Sequence, residues 1–297
     1  LQAPYTVWCQ PVDVIMNGEY QGCYQLCDQI TIDPNRVPIT EMEPSDTEDP
    51  LITGGYLIEV DAYAHNEPSQ SWFTSSRGTP VTIKEPDEDG IVPAQYNYIK
   101  NFFSQMENKV FASDYTDEVN GYRSMLDLES FLKHFVVGEF SGNMDTYWSV
   151  YMYKERGDQK LYTGHSNWIY NSGSAAGQMK SFVTRILNDP KAFQDLRTMW
   201  KKLRDNGTFS KESLFAYVDS TAQVLDQSQQ LNFTRWKILS QVVHQNPRVP
   251  ATYAEEIDFV KDYIAKRIEW IDDKLKYYSG ETGNGFGEMY EIASAAD

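Results

Sequence analysis

The sequence predicts an α+β protein with two lobes, a smaller sheet-rich lobe followed by a larger helical lobe. Three observations lead to this fold class. Strand-like runs separated by turn signals fill the first part of the chain, up to residue 112. Helical periodicity dominates the segment 113–280. The glycine-rich ending, 281–297, has the composition of a flexible tail or linker.

The bulk composition is that of an ordered globular protein. Of the 297 residues, 41% are hydrophobic and 14% aromatic, which is enough to fill a large core. The net charge of −17 argues against nucleic acid or an anionic membrane as the main partner, because both would be repelled over most of the surface. No apolar run is long enough for a transmembrane segment. The start at Leu1 lacks a signal-peptide pattern, so a trimmed or mature chain is expected.

The three cysteines, Cys9, Cys23 and Cys27, lie close together near the start of the chain. Their odd number argues against a full disulfide framework, and a Cys-x3-Cys pair without a nearby histidine is a poor zinc signal. We therefore expect them to be small buried side chains. The four histidines are scattered and form no metal-binding motif.

The sheet-rich part begins with a predicted hairpin. Strand-like runs at 12–16 and 20–26 flank Asn17-Gly18, which is a strong signal for a tight turn between strands. Residues 33–50 are rich in Pro, Asp and Glu, and we expect an exposed acidic loop there. Further strands are predicted at 54–61, 73–74 and 80–84.

The predicted helices are defined by apolar stripes and by capping residues. A stripe at 95–110 predicts the first helix. Later helices are expected to begin after the N-cap residues Asp127, Asp189, Ser210 and Thr252. The apolar stripes of all these helices are expected to pack into the core.

The central stretch, 127–162, combines a helix, a loop that carries Asp145, a strand at 149–153 and a return strand at Leu161-Tyr162. In protein kinases, an aspartate on a loop after a buried helix accepts the substrate hydroxyl proton, and the hairpin that follows ends in a metal-binding aspartate. Asp145 is therefore a candidate catalytic base. The alternative is an ordinary turn, because Gly-Asn-x-Asp is a common turn sequence.

Several segments in a fixed order carry a resemblance to a known family. They are Val14–Leu26, Gly54–Asp61, Val81–Asp87, Asp127–Phe131 and Gly142–Asp145, followed by Asn232–Trp236 and the helical Ile264–Ile271. In this order they resemble the CotH-type (spore coat protein H) atypical protein kinases. The likeness extends over nearly the whole chain.

This resemblance implies a two-lobed atypical protein-kinase-like fold that transfers the ATP γ-phosphate to serine or threonine of a protein substrate, with Mg or Mn. Carried over by motif, Asp145 would be the catalytic residue. Lys84 and Glu59 would bind the ATP cofactor, although a structural salt bridge explains both residues equally well. The family also implies an extracellular or cell-surface location. The sequence makes no prediction of the oligomeric state.

The sequence departs from the family where the metal should bind. The family carries Gly-Pro-x-Trp-Asp-Phe-Asp after the hairpin, whereas here Gly164 leads directly into His165. The usual second ligand, an asparagine after the catalytic aspartate, is also absent, and Ser149 is a weak substitute. Either a loop between Gly164 and His165 is missing from the sequence as read, or the deletion is real. The metal ligands therefore stay unassigned.

Two other functions remain open at this point. A real deletion would favour a catalytically inactive kinase-like module that serves as an extracellular or surface binding or structural protein. Abundant acidic and aromatic residues also allow a glycosidase, but that activity needs two carboxyl groups facing one cleft, which spacing along the chain does not show.

Overall fold

The computed structural model describes residues 6–143, 148–166, 182–243 and 248–277. As predicted, the protein is α+β, with a sheet-rich N-terminal region and a helical C-terminal region. The strands are β1 (Cys9–Met16), β2 (Glu19–Cys27), β3 (Tyr56–Val60), β4 (Trp72–Thr74), β5 (Pro80–Glu85), β6 (Val150–Lys154) and β7 (Tyr162–Ser166). The helices are α1 (Pro93–Phe111), α2 (Leu128–Ser141), α3 (182–187), α4 (Pro190–Asp205), α5 (Lys211–Val224), α6 (Asp226–Arg235) and α7 (Tyr253–Lys274). Within these ranges every helix is too short or too polar to cross a bilayer.

The described residues group into two compact units. One contains Gln29–Leu196, and the other combines Trp8–Asp28 with the segment that begins at Arg197. The hairpin of β1 and β2 therefore groups with the C-terminal helices, where Asn232 of α6 accepts a hydrogen bond from the Cys23 amide at 3.0 Å. The division into these two units does not test the predicted lobe boundary near residue 112, which stays a prediction.

The first unit is built on an antiparallel sheet with strand order β4-β5-β3-β6-β7. All five residues of the central strand β3 are buried. The sequence placed the hairpin of β6 and β7 in the helical lobe, but the structure pairs β6 with β3 along its whole length. The alternation of side chains between the two faces of the sheet explains this pairing. Val150 and Met152 direct their apolar side chains toward the helices, as Ile58 and Val60 do.

The predicted caps are confirmed. The Asp127 side chain accepts a hydrogen bond from the Ser130 amide at 2.8 Å and starts α2. Ser210 and Thr252 cap α5 and α7 in the same way. These bonds satisfy amides that have no partner within the first helical turn.

Burial of the apolar stripes is only partly as expected. In α7, Ile264, Ile268 and Ile271 are buried, whereas Val260 is 40% exposed. The predicted burial of the α5 stripe is wrong, since no residue of α5 is buried and Tyr217 is 70% exposed. The helix packs against α7, and that contact shields only a narrow part of its surface.

The predicted hairpin is confirmed, but the expected burial of the cysteines is wrong. Asn17 and Gly18 both have positive φ, at 53° and 83°, as a tight turn between twisted strands requires. Cys9 and Cys27 are exposed and Cys23 is half-buried. The reason is that β1 and β2 form a separate two-stranded sheet, which has too little apolar cover to enclose the cysteines.

Candidate functional site

The sheet brings Glu59 and Lys84 together. Glu59 lies on β3 and Lys84 lies on the neighbouring strand β5. The register pairs Ile58 with Ile83 but Leu57 with Glu85, so Lys84 is the extra residue of a β-bulge. A bulge redirects the side chain that it carries. The Lys84 ammonium lies 3.2 Å from a carboxylate oxygen of Glu59.

The Glu59 carboxylate is held from two sides. Tyr151 faces Glu59 from β6 in the sheet register, and the two side chains are close enough for each to influence the pKa of the other. Burial raises the pKa of Glu59, and this effect outweighs the opposing influence of the Lys84 ammonium. Burial and the Glu59 charge likewise raise the pKa of Tyr151, so its hydroxyl keeps its proton beside the carboxylate. Sequence reasoning missed Tyr151.

Lys84 is the accessible member of the pair. Its side chain is 32% exposed, while that of Glu59 is only 10% exposed. An ammonium group with one fixed carboxylate partner and an open side can also contact an anionic ligand. The pair therefore has the arrangement needed to hold a phosphate group, although the same geometry also serves as a structural salt bridge.

Aromatic side chains extend this face of the sheet. The register places Tyr153 beside Leu57, on the same side as Glu59 and Tyr151. The Tyr153 ring stacks on the Tyr162 ring with centroids 5.2 Å apart and an interplanar angle of 9°. Flat aromatic surfaces of this kind stack well against other planar rings, including nucleobases.

A second lysine in the same sheet is unsuited to a ligand site. Lys154, at the end of β6, has no exposed surface. Its ammonium donates to the carbonyls of Thr53 and Asp158 and lies 4.7 Å from the centre of the Phe102 ring. Burial lowers its pKa to about 8. Because a ligand cannot reach this group, Lys84 is the candidate and Lys154 joins chain segments inside the fold.

The predicted catalytic residue, Asp145, lies outside the described residues. The elements on both sides of it are as predicted: α2 ends at Ser141, Gly142 adopts a left-handed conformation with φ 62°, and β6 begins at Val150. The order of helix, connection, strand and hairpin is thus confirmed. The role of Asp145 stays a prediction.

The region expected to bind a metal lacks the acidic residues for it. Strand β7 contains both Gly164 and His165, which are consecutive in the sequence, and the two explanations for the absent family motif stay predictions. The sequence contains no Asp or Glu between Asp158 and Asp189. Asp189 is already bound by the Tyr122 hydroxyl at 2.9 Å and by Arg123.

The remaining described residues do not supply a metal site either. Across the parts of the chain that the structure describes, no three His, Cys, Asp or Glu side chains lie close enough together to hold an ion. Mg²⁺ and Mn²⁺ prefer several oxygen ligands, with carboxylates prominent among them. The described residues therefore do not fit the metal that the family implies.

A small apolar cavity lies on the opposite face of the sheet. Val60, Met152, Phe103, Met106 and Phe131 are among the residues that line it, and its volume is about 30 Å³. A site for a nucleotide needs several hundred cubic ångströms, roughly 300 or more. The cavity is therefore a packing gap, and the face with Lys84 and Glu59 is the candidate site.

Comparison with known protein families gives a match over most of the chain. A family model described as CotH kinase protein matches residues 4–271, a stretch that includes Glu59, Lys84 and Asp145. No curated protein and no solved structure matches the chain.

Proposed function

The chain belongs to the CotH kinase protein family, and we propose on this basis that it is an ATP-dependent protein kinase. The proposed reaction transfers the γ-phosphate to serine or threonine of a protein substrate. The proposed fold is a two-lobed kinase-like one, and the proposed setting is the cell surface or extracellular space. The observation that carries the proposal is the Lys84–Glu59 ion pair inside the region matched by the family.

Lys84 is assigned to the ATP phosphates. In protein kinases, a strand lysine that pairs with a glutamate contacts the nucleotide phosphates, and the glutamate keeps the lysine in position. Glu59 can perform that positioning, because its buried carboxylate pairs with Lys84 and lies beside Tyr151. The exposed side of the Lys84 ammonium would then neutralise phosphate charge. Bound ATP supplies the phosphoryl group.

Asp145 is assigned as the catalytic base. Phosphoryl transfer depends on positioning and on charge stabilisation, and a base only needs to accept the proton of the attacking hydroxyl. The support for Asp145 is its place between α2 and β6 in a chain of this family. A divalent metal is part of what the family implies, but no step is assigned to it, because the described residues do not fit one.

A second candidate function is nucleotide binding without phosphoryl transfer. The absence of Asp and Glu between Asp158 and Asp189 favours it, because the usual metal-binding aspartate is missing from that stretch. Such a protein would keep the Lys84–Glu59 pair and bind ATP. It would not label a protein substrate under any metal condition.

Lys84→Met is expected to weaken ATP binding by about 10- to 100-fold, because a charge-assisted contact to phosphate is lost. Glu59→Gln should have a smaller effect, since Lys84 keeps its charge but loses its positioning partner. The measurement is the ATP concentration that gives half of the maximal thermal stabilisation, which separates affinity from the baseline stability of each variant.

The matched control is Lys191→Met. Its ammonium pairs with Asp195 on the surface of α4, and its side chain is 58% exposed. This variant should bind ATP as the unmodified protein does. Unchanged ATP affinity in a folded Lys84→Met variant would remove Lys84 from the nucleotide site.

A further inference from the structure

Two of the three cysteines face each other across the hairpin that strands β1 and β2 form. In the antiparallel register, Cys9 on β1 lies directly opposite Cys27 on β2. They form the outermost residue pair of this small sheet, and both are exposed. Neither the family assignment nor the proposed reaction uses them.

The hydrogen-bond pattern shows which kind of pair they form. The Asp28 amide donates to the Trp8 carbonyl at 2.9 Å, just outside the pair. Hydrogen-bonded and non-hydrogen-bonded pairs alternate along an antiparallel ladder, so Cys9 and Cys27 are a non-hydrogen-bonded pair. Pro11 lies two residues further along β1, at a position of the same type, where its missing N–H costs no ladder bond.

Such a position brings the two side chains close. Opposed residues in non-hydrogen-bonded pairs have Cα atoms about 4.5 Å apart. A disulfide requires a Cα separation of roughly 4.4–6.8 Å. The two thiols are near enough to influence each other, because Cys9 is among the causes, after desolvation, that raise the pKa of the Cys27 thiol.

We propose that Cys9 and Cys27 are a redox-active pair. A small-molecule disulfide such as oxidised glutathione oxidises them to an intramolecular disulfide. One cysteine thiolate attacks the oxidant, forms a mixed disulfide and releases one reduced thiol. The second cysteine thiolate then attacks the protein sulfur of the mixed disulfide and releases the other thiol. The two cysteines lose two electrons and two protons, and the oxidant becomes two thiols.

Cys23 does not take part. Its partner in the register is Asp13, and it lies four residues along the strand from Cys27. At about 3.4 Å per residue it is roughly 14 Å from the Cys9–Cys27 pair. That distance is beyond the reach of a disulfide, whose Cα atoms lie less than about 7 Å apart. The chain thus contains its own internal control.

The disulfide would join the outer ends of both strands. The closed loop would contain the whole hairpin, from Cys9 through the Asn17-Gly18 turn to Cys27. Cross-linking restricts the unfolded chain and so opposes separation of the strands. We expect the oxidised hairpin to be cleaved more slowly by proteases than the reduced hairpin.

The test is a mapping of the thiols in the whole chain. The protein is incubated with oxidised glutathione, unfolded, alkylated with iodoacetamide and cleaved with cyanogen bromide at Met16, which separates Cys9 from the other two cysteines. We expect the fragments 1–16 and 17–42 to stay joined until a reductant is added. We also expect one alkyl group, on Cys23, and an intact mass lower by two hydrogen atoms.

Three variants complete the test. Cys9→Ser and Cys27→Ser should each abolish the link between the fragments, whereas Cys23→Ser should retain it. Alkylation of both Cys9 and Cys27 after oxidation would overturn the proposal. A link through Cys23, or one that joins only separate chains, would overturn it as well.

Discussion

Asp145→Asn is expected to reduce phosphoryl transfer to protein by at least about 10²-fold, because the amide cannot accept the proton of the attacking hydroxyl. ATP binding should be unchanged, since the proposed contact to the phosphates comes from Lys84. The measurement is incorporation of a labelled γ-phosphate into protein, together with the ATP affinity of the same variant.

The control for this experiment is Asp195→Asn. It makes the same chemical change on the surface of α4, where Asp195 pairs with Lys191. Transfer should persist in that variant. Full activity of Asp145→Asn would remove Asp145 from its role. ATP binding without transfer in the unmodified protein would instead favour the second candidate function.

Gly55→Ala is expected to lower the free energy of unfolding of its compact unit by more than about 3 kcal/mol. Gly55 immediately precedes β3, and its φ is +74°. A Cβ atom there would lie 1.7 Å from the carbonyl oxygen of Thr40, which belongs to the backbone and cannot rotate away. The whole start of β3 would have to shift, and with it the strand that carries Glu59.

Gly157→Ala is the matched control for the same backbone conformation. Its φ is +76°, and nothing lies within 4 Å of a Cβ built there. The substitution should therefore cost only the strain of the left-handed conformation, about 1–2 kcal/mol. Urea denaturation of both variants measures the difference. Equal costs at the two positions would show that the close approach of Thr40 does not constrain the strand.

Local elements of this fold could be predicted because their signals lie in neighbouring residues. The Asn17-Gly18 turn and the Asp127 cap each depend on a few consecutive positions. The pairing of β6 with β3 could not be predicted in this way, because it joins residues about ninety positions apart. Alternation on each strand is compatible with several sheets, and only tertiary packing selects one.

For the same reason, only part of the candidate site could be predicted from the sequence. The family resemblance indicated Lys84 and Glu59 as site residues. Their contact depends on a bulge in β5, which no local sequence pattern predicts. Tyr151 was missed because an alternating strand tyrosine has no distinguishing mark until the register places it opposite Glu59. Lys154 was missed because a lysine beside a charged turn has the sequence appearance of a surface residue.

The most direct test of the central claim is covalent labelling of the nucleotide site with an acyl-phosphate derivative of ATP, which acylates lysines close to the bound phosphates. The account predicts that Lys84 is modified, that trypsin then fails to cleave after it, and that excess ATP prevents the reaction. Acylation that spares Lys84, or that ATP does not compete away, would contradict the assignment of the Lys84–Glu59 pair to the nucleotide.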